Sequence, residues 1–185
     1  MSAQPAADTG RTFFRSRWVR PPAEAEELDP AELAPGFRAG VAACGLKGGG
    51  ATDVGLLACD TEPVSALLLT ANALAAAPVR VCRGECDAGR IRAAVVNSGN
   101  ANAATGERGY RDALAMRDAA AEATGVAAPS VAVAETGVIG VPLATADVVR
   151  GIGDAAAALS ERGGAEFARA IMTTDSRPKA CTVCV

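Results

Sequence analysis

Between Ala93 and Ala113 the chain reads AAVVNSGNANAATGERGYRDA. An apolar run, Ala93 to Val96, gives way at Asn97 to Asn, Ser and Gly, and charged, alanine-rich sequence resumes from Glu107. The stretch predicts a buried strand, an irregular loop and then a helix. A plain connection takes about 4–6 residues of turn chemistry, and Asn97, Asn100 and Asn102 exceed what a turn requires. An Asn side chain carries both a donor and an acceptor and tolerates left-handed backbone. NSGNAN can therefore hold an irregular backbone without water. An Asn-rich turn and a loop whose amides shape or line a polar pocket both fit that chemistry.

The chain's 185 residues suffice for one domain with a real core. Half the residues are hydrophobic but only 3% are aromatic, so the core must be built from Ala, Val, Leu and Ile. Small residues let helices and strands approach closely, which favours layered α/β packing. Lys and Arg number 18 against 21 Asp and Glu, for a net charge of −3. Without a concentrated positive face, nucleic acid is not an expected partner, and the basic cluster RTFFRSRWVR (Arg11 to Arg20) reads as a peripheral arm. The sequence holds no apolar run of about 18 residues to span a membrane and no charged and apolar leader. A cytoplasmic location is expected. Six cysteines stand at 44, 59, 82, 86, 181 and 184. CRGEC and CTVC are close pairs, but CTVCV reads as a strand whose two thiols face opposite sides, not as the tight turn of a zinc site, so buried thiols in a reducing compartment are expected, with no metal.

Residues 1–35 read as a loosely ordered arm, closed by a short helical turn after Asp29 with Pro30 at a favoured first position. Residues 36–185 read as the compact domain. Strands are expected in GFRAGVAACGLK, DVGLLACD, PVRVCR, IRAAVVN and SVAVAET. VSALLLTAN fits a strand without excluding a helix. Helices are expected over Tyr110–Thr124 with Gly125 as C-cap, from Thr145 as N-cap, and in GAEFARA. KACTVCV is expected to be a last strand with an unpaired edge.

Three loops could carry chemistry. The first is NSGNAN. The second, ETGVIGVP, brings a hydroxyl and free backbone N–H groups to the sheet's edge, which suits a developing oxyanion. The third, MTTDSRPK, offers adjacent hydroxyls with an acid and two cations, which suits a small zwitterionic ligand. Each is equally compatible with a plain turn. In this order and spacing, however, the three resemble the ornithine acetyltransferases, bifunctional glutamate N-acetyltransferase/amino-acid acetyltransferases. VVNSGNANAATGERG is similar to that family's V-x-N-S-G-N-A-N-A-x-T-G-x-x-G. ETGVIGVPL resembles S-T-G-V-I-G-x-P-L, and ARAIMTTDSRPK resembles A-x-A-I-M-T-T-D-T-x-P-K. The likeness covers roughly residues 35–185.

The resemblance implies a layered α/β sandwich with a mixed sheet and a precursor that cuts itself before a threonine. That threonine becomes the N-terminal nucleophile of a β chain, its own amine serving as base. Acetyl would pass from N-acetylornithine to the threonine and then to glutamate in arginine biosynthesis, with no cofactor. The expected partners are these two substrates and the β chain, in an α/β hetero-oligomer whose sheet the β chain completes. Carried over by position, Thr136 and Gly137 match the oxyanion pair. Thr173 matches a substrate-contacting position, with Thr174 the close alternative; the family keeps the NSGNANA motif beside its active site, which implies that Asn97, Asn100 and Asn102 tie its irregular backbone to the oxyanion loop.

Two departures stand out. Glu135 replaces the family's Ser, and a carboxylate there must point away from the oxyanion. The Lys-Gly motif and the nucleophile are expected beyond residue 185, so the chain reads as an α-chain portion that is inactive alone. A secondary-metabolite paralogue and a catalytically dead binding homologue are the alternatives. A phosphate-binding enzyme is disfavoured because GLKGGGATD lacks a GxxxxGK[ST] pattern.

Overall fold

The computed structural model describes residues 24–185. In chain order the elements are β1 (Glu26–Leu28), β2 (Phe37–Ala42), β3 (Val54–Cys59), α1 (Ala77–Glu85), β4 (Ala93–Asn100) and α2 (Gly106–Thr124). They continue with β5 (Val131–Val138), α3 (Thr145–Ala157), α4 (Gly164–Ala170) and β6 (Thr182–Cys184). A four-stranded sheet has the order β2-β3-β4-β5, antiparallel except for the parallel pair β4-β5. Parallel neighbours need a crossover, and α2 supplies it. The architecture is the mixed-sheet α/β sandwich expected from the sequence.

Residues two apart on a strand share a face, and the register sorts the two faces. Val54 and Leu56 of β3 align with Asn97 and Val95 of β4, which align with Glu135 and Val133 of β5. This face packs on α1, α2 and α3 through Val81, Met116, Val148 and Ile152, all fully buried. On α2 the buried positions Gly109, Ala113, Met116 and Ala120 recur at helical spacing. The opposite face carries Gly55, Ser98 and Thr136. There α4 covers β2 and β3, with the Phe167 ring so close that a Cβ built on Gly55 would lie 2.9 Å from it.

Several local expectations differ from the structure. PVRVCR is the body of α1, not a strand. Its Pro78 sits in the first turn, where a fixed φ favours a helix, and Ala77 and Val81 are buried four residues apart. α3 begins at Thr145, but Ala144 occupies the N-cap position without a side-chain bond. The Thr145 hydroxyl instead donates to Asp112 Oδ1 at 2.8 Å. VSALLLTAN is neither helix nor strand. Its side chains alternate between half-buried Leu67 and Leu69 and exposed Val64 and Leu68, without a strand partner. α2 ends as expected, with Gly125 in the left-handed region at φ 70°.

KACTVCV does form a strand, but Thr182–Cys184 pairs antiparallel with Glu26–Leu28. One edge of this strand therefore has a partner, drawn from the segment read as a loose arm, while among the described residues its other edge has none. No local signal links residues so far apart in sequence. The turn after Asp29 is present, with Asp29 Oδ1 accepting the Ala31 N–H. Residues 1–23, including the basic cluster, lie outside the described residues. Cys59 and Cys82 are buried, whereas Cys184 is exposed. Among the described residues no helix is long and apolar enough to cross a membrane.

Two glycines separate steric need from helix propensity. A Cβ on Gly40 would lie 2.1 Å from the Ala155 carbonyl oxygen, whereas one on Gly153 of α3 meets nothing within 4 Å. Gly40→Ala should destabilise the protein by roughly 1–3 kcal/mol or more, because backbone must move. Gly153→Ala should stabilise it by about 0.5–1 kcal/mol. Equilibrium urea denaturation of both variants checks the opposite signs.

Candidate active site

Strand β4 does not stop where its apolar run stops. Asn97, Ser98, Gly99 and Asn100 continue the ladder against Glu135 to Val138, and the register slips at Gly99 and Asn100. Such a bulge re-aims the strand and frees it from the regular ladder. Buried amides hold the distorted region. Asn97 Nδ2 donates to the Asn100 carbonyl at 2.8 Å. Asn100 Nδ2 donates to the Val141 carbonyl at 3.1 Å, and its Oδ1 accepts the Asn102 N–H at 2.7 Å. Asn102, at φ 44°, donates through Nδ2 to the Gly109 carbonyl and to Glu135 Oε1, both at 2.8 Å. Its Oδ1 accepts the Thr105 hydroxyl at 2.6 Å. One short segment thereby ties together β4, the loop after β5 and the first turn of α2.

The same approach explains Gly137. It lies at φ 136°, and a Cβ there would be 2.3 Å from the Gly99 backbone carbon. Only glycine lets β5 close on the bulge. Thr136 and Glu135 are sequence neighbours on opposite faces, so Thr136 shares its face with Ser98 while Glu135 turns toward the helices.

On the Thr136 side a cavity of about 570 Å³ is lined by Thr136, Gly137, Val138, Gly99, Lys47, Thr173 and Thr174. Four of the residues singled out in the sequence thus meet around one space. Asn97, Asn100 and Asn102 do not line it; they brace the strands behind it. Lys47 and Gly99 lie on the wall although neither was singled out as a site residue. Gly99 was within the quoted amide motif, and Lys47 ends GFRAGVAACGLK. The Thr173–Thr174 wall is anchored through the end of α4, where the Ala170 carbonyl accepts both the Ser98 hydroxyl and the Lys47 ammonium.

Behind Lys47, the fully buried Asp53 organises the loop before it. Its carboxylate accepts backbone N–H groups of Cys44 at 2.7 Å, Gly45 at 3.1 Å and Lys47 at 2.9 Å. Burial opposes ionisation of Asp53, but the hydrogen bonds from Cys44, Lys47 and Leu46 together outweigh it and hold the carboxyl below its ordinary range.

The sequence profile of the ArgJ family matches residues 38–185. The chain belongs to the ArgJ family. It is 52% identical over 146 residues to the arginine biosynthesis bifunctional protein ArgJ of Symbiobacterium thermophilum, covering 78% of this chain and 36% of that protein. It is 44% identical to the ArgJ protein of Thermosynechococcus vestitus over 79% of this chain and 35% of that one. The chain therefore spans about a third of the length of these curated relatives. The crystal structure of ornithine acetyltransferase from Mycobacterium tuberculosis complexed with ornithine matches with a TM-score of 0.78 at 36% identity. That match covers 86% of both chains. The ArgJ crystal structure from Bacillus halodurans matches with a TM-score of 0.74 at 35% identity, covering 83% of this chain and 81% of that one.

Within this ArgJ-family chain, Glu135 occupies an unusual environment. Oε1 accepts from Asn102, but Oε2 is buried without a hydrogen-bond partner, as is Asp112 Oδ2. Burial pushes the Glu135 carboxyl up to about 7; the Asn102 bond opposes the shift and the Asp112 charge adds to it. A raised folded-state value means that stability is complete while both states are protonated. It is lost as pH rises from the ordinary 4.5 through about 7. The loss should reach about 3 kcal/mol. Glu135→Gln should flatten that decline, and the difference between wild type and variant in urea midpoints from pH 4 to pH 8 checks it. An unchanged pH profile in Glu135→Gln would locate the titration elsewhere.

Proposed function

We propose that residues 36–185 are the α-chain portion of an ornithine acetyltransferase. The complete protein would move acetyl from N-acetylornithine to glutamate through an acetyl-threonine intermediate, in arginine biosynthesis. The observation that carries this reading is the convergence of Thr136, Gly137, Thr173 and Thr174 on one cavity. The names of the ArgJ relatives, and the ornithine bound in the Mycobacterium tuberculosis neighbour, support it further.

In this reading the nucleophile is the N-terminal threonine of a β chain. Its amine takes the hydroxyl proton as Oγ attacks the acetyl carbonyl carbon. The oxyanion that forms receives hydrogen bonds from the Thr136 hydroxyl and the Gly137 N–H. Collapse of that intermediate breaks the C–N bond, and ornithine leaves with the proton. Glutamate's amine then attacks the acetyl ester and regenerates the threonine. Preformed donors act here because they need no reorganisation as charge develops. Exposed Val138, Ile139 and Val141 beside the cavity are 57%, 68% and 48% accessible. They form an apolar rim that the β chain of the hetero-oligomer would cover while completing the site.

Acetyl exchange between N-acetylornithine and glutamate by the complete protein tests the reading, and a trapped acetyl-threonine would locate the nucleophile. Failure to form that ester would favour a binding homologue; preference for another acceptor would favour a secondary-metabolite enzyme. Thr136→Ala should lower kcat by about 10²–10³ with little change in KM, since an oxyanion donor acts mainly in the transition state. Thr173→Val should weaken both N-acetylornithine and glutamate by about 10- to 150-fold, the loss of one hydrogen bond to a charged group. Separate half-reaction kinetics read both substrates. Damage from Thr174→Val instead would move the contact to the neighbouring hydroxyl.

A further inference from the structure

Lys47 is half-buried on the wall of the cavity. Its ammonium donates to the Ala170 carbonyl at 2.9 Å and to the Thr52 carbonyl at 3.3 Å. A lysine ammonium has three N–H donors and no acceptor, so these two bonds leave one donor over. Among the described residues no carboxylate lies within 4.0 Å of it; the ion pairs there involve other cations. The acid whose charge acts on it, Asp53, has already committed both oxygens to backbone N–H groups. Burial accordingly draws the Lys47 pKa down, with the Asp53 charge opposing the shift. A partly desolvated cation without a counter-ion is costly unless an anion meets it.

We infer that Lys47 is the residue that receives the α-carboxylate of the amino-acid substrate, in the cavity it shares with Thr136, Gly137, Thr173 and Thr174. The assignment rests on the acetyl-transfer reading for the identity of the ligand. The chemistry of that ligand fits the placement. In an Nα-acetyl amino acid only the amide nitrogen and Cα separate the acetyl carbon from the carboxylate carbon. A carbonyl held by Thr136 therefore brings the carboxylate to a neighbouring wall of the same cavity. Donor and acceptor share this group, so a single cation would orient both halves of the exchange. The Ala170 and Thr52 carbonyls fix the ammonium in advance, which reduces what must be ordered on binding.

Lys47 also bonds the end of α4, so a purely structural role must be separable. The test uses the complete protein and compares N-acetylornithine with its α-carboxamide, which keeps the shape and removes the charge. Wild type should favour the carboxylate by about 10- to 100-fold in kcat/KM, carried by KM. Lys47→Met should lose that preference by weakening the carboxylate substrate alone, and Lys47→Arg should retain most of it. Equal preference in wild type and Lys47→Met, with only a lowered Tm in the variant, would reduce Lys47 to a helix-end contact. Should Lys47→Met fail to fold, wild type and Lys47→Arg still decide, because absence of carboxylate preference in wild type overturns the assignment. Calorimetric titration of N-acetylglycine against N-acetylglycinamide reads the same preference without turnover. Loss of acetyl exchange with retained Lys47-dependent binding would overturn the proposed reaction and leave the carboxylate subsite standing.

Discussion

The site depends on a strand that stays buried after its apolar residues have run out. Asn97, Ser98, Asn100 and Asn102 are all buried, and an unpaired buried polar group costs roughly 1–3 kcal/mol. The segment is stable only because its amides find carbonyls on three different elements. Those bonds are also what bring the loop after β5 against β4, so the energetics of burial and the shape of the cavity wall have one cause. Among the described residues, the buried side-chain oxygens without a hydrogen-bond partner, on Asn97, Asp112 and Glu135, all belong to this region or border it.

Small residues make the rest of the geometry possible. Gly40 admits the backbone of α3, and Gly109 leaves room for the Asn102 amide, whose Oδ1 would lie 2.2 Å from a Cβ there. In a chain with only 3% aromatic residues, the core gains contact through close backbone approach. The consequence is intolerance: an added methyl group at such a position meets backbone, which moves less readily than a side chain.

Strand β5 separates two electrostatic environments by the alternation of its side chains. Glu135 faces the helices, where burial favours its neutral form. Thr136 faces a cavity whose wall includes the Lys47 ammonium. A carboxyl one residue from the proposed oxyanion pair is thereby turned away and only partly ionised near neutral pH. The Glu at this position is compatible with the proposed chemistry for a geometric reason and an electrostatic one.

The sequence by itself determined the mixed α/β sandwich, most strand positions, the C-cap at Gly125 and the loops that meet at the cavity. Periodicity and turn chemistry, which are local, place the strands and the cap, whereas the mixed sandwich and the importance of the loops are implied by the family resemblance that the long motifs carry. It did not determine that PVRVCR is helical, since Val and Cys suit a strand and only packing against β5 decides. Nor did it reveal that Thr145 bonds Asp112, that Glu26–Leu28 pairs with Thr182–Cys184, or that Lys47 reaches the cavity from a distant loop. Each of those joins residues far apart in the chain. No short-range pattern encodes such a contact, because it exists only when the whole sheet has set which elements lie side by side.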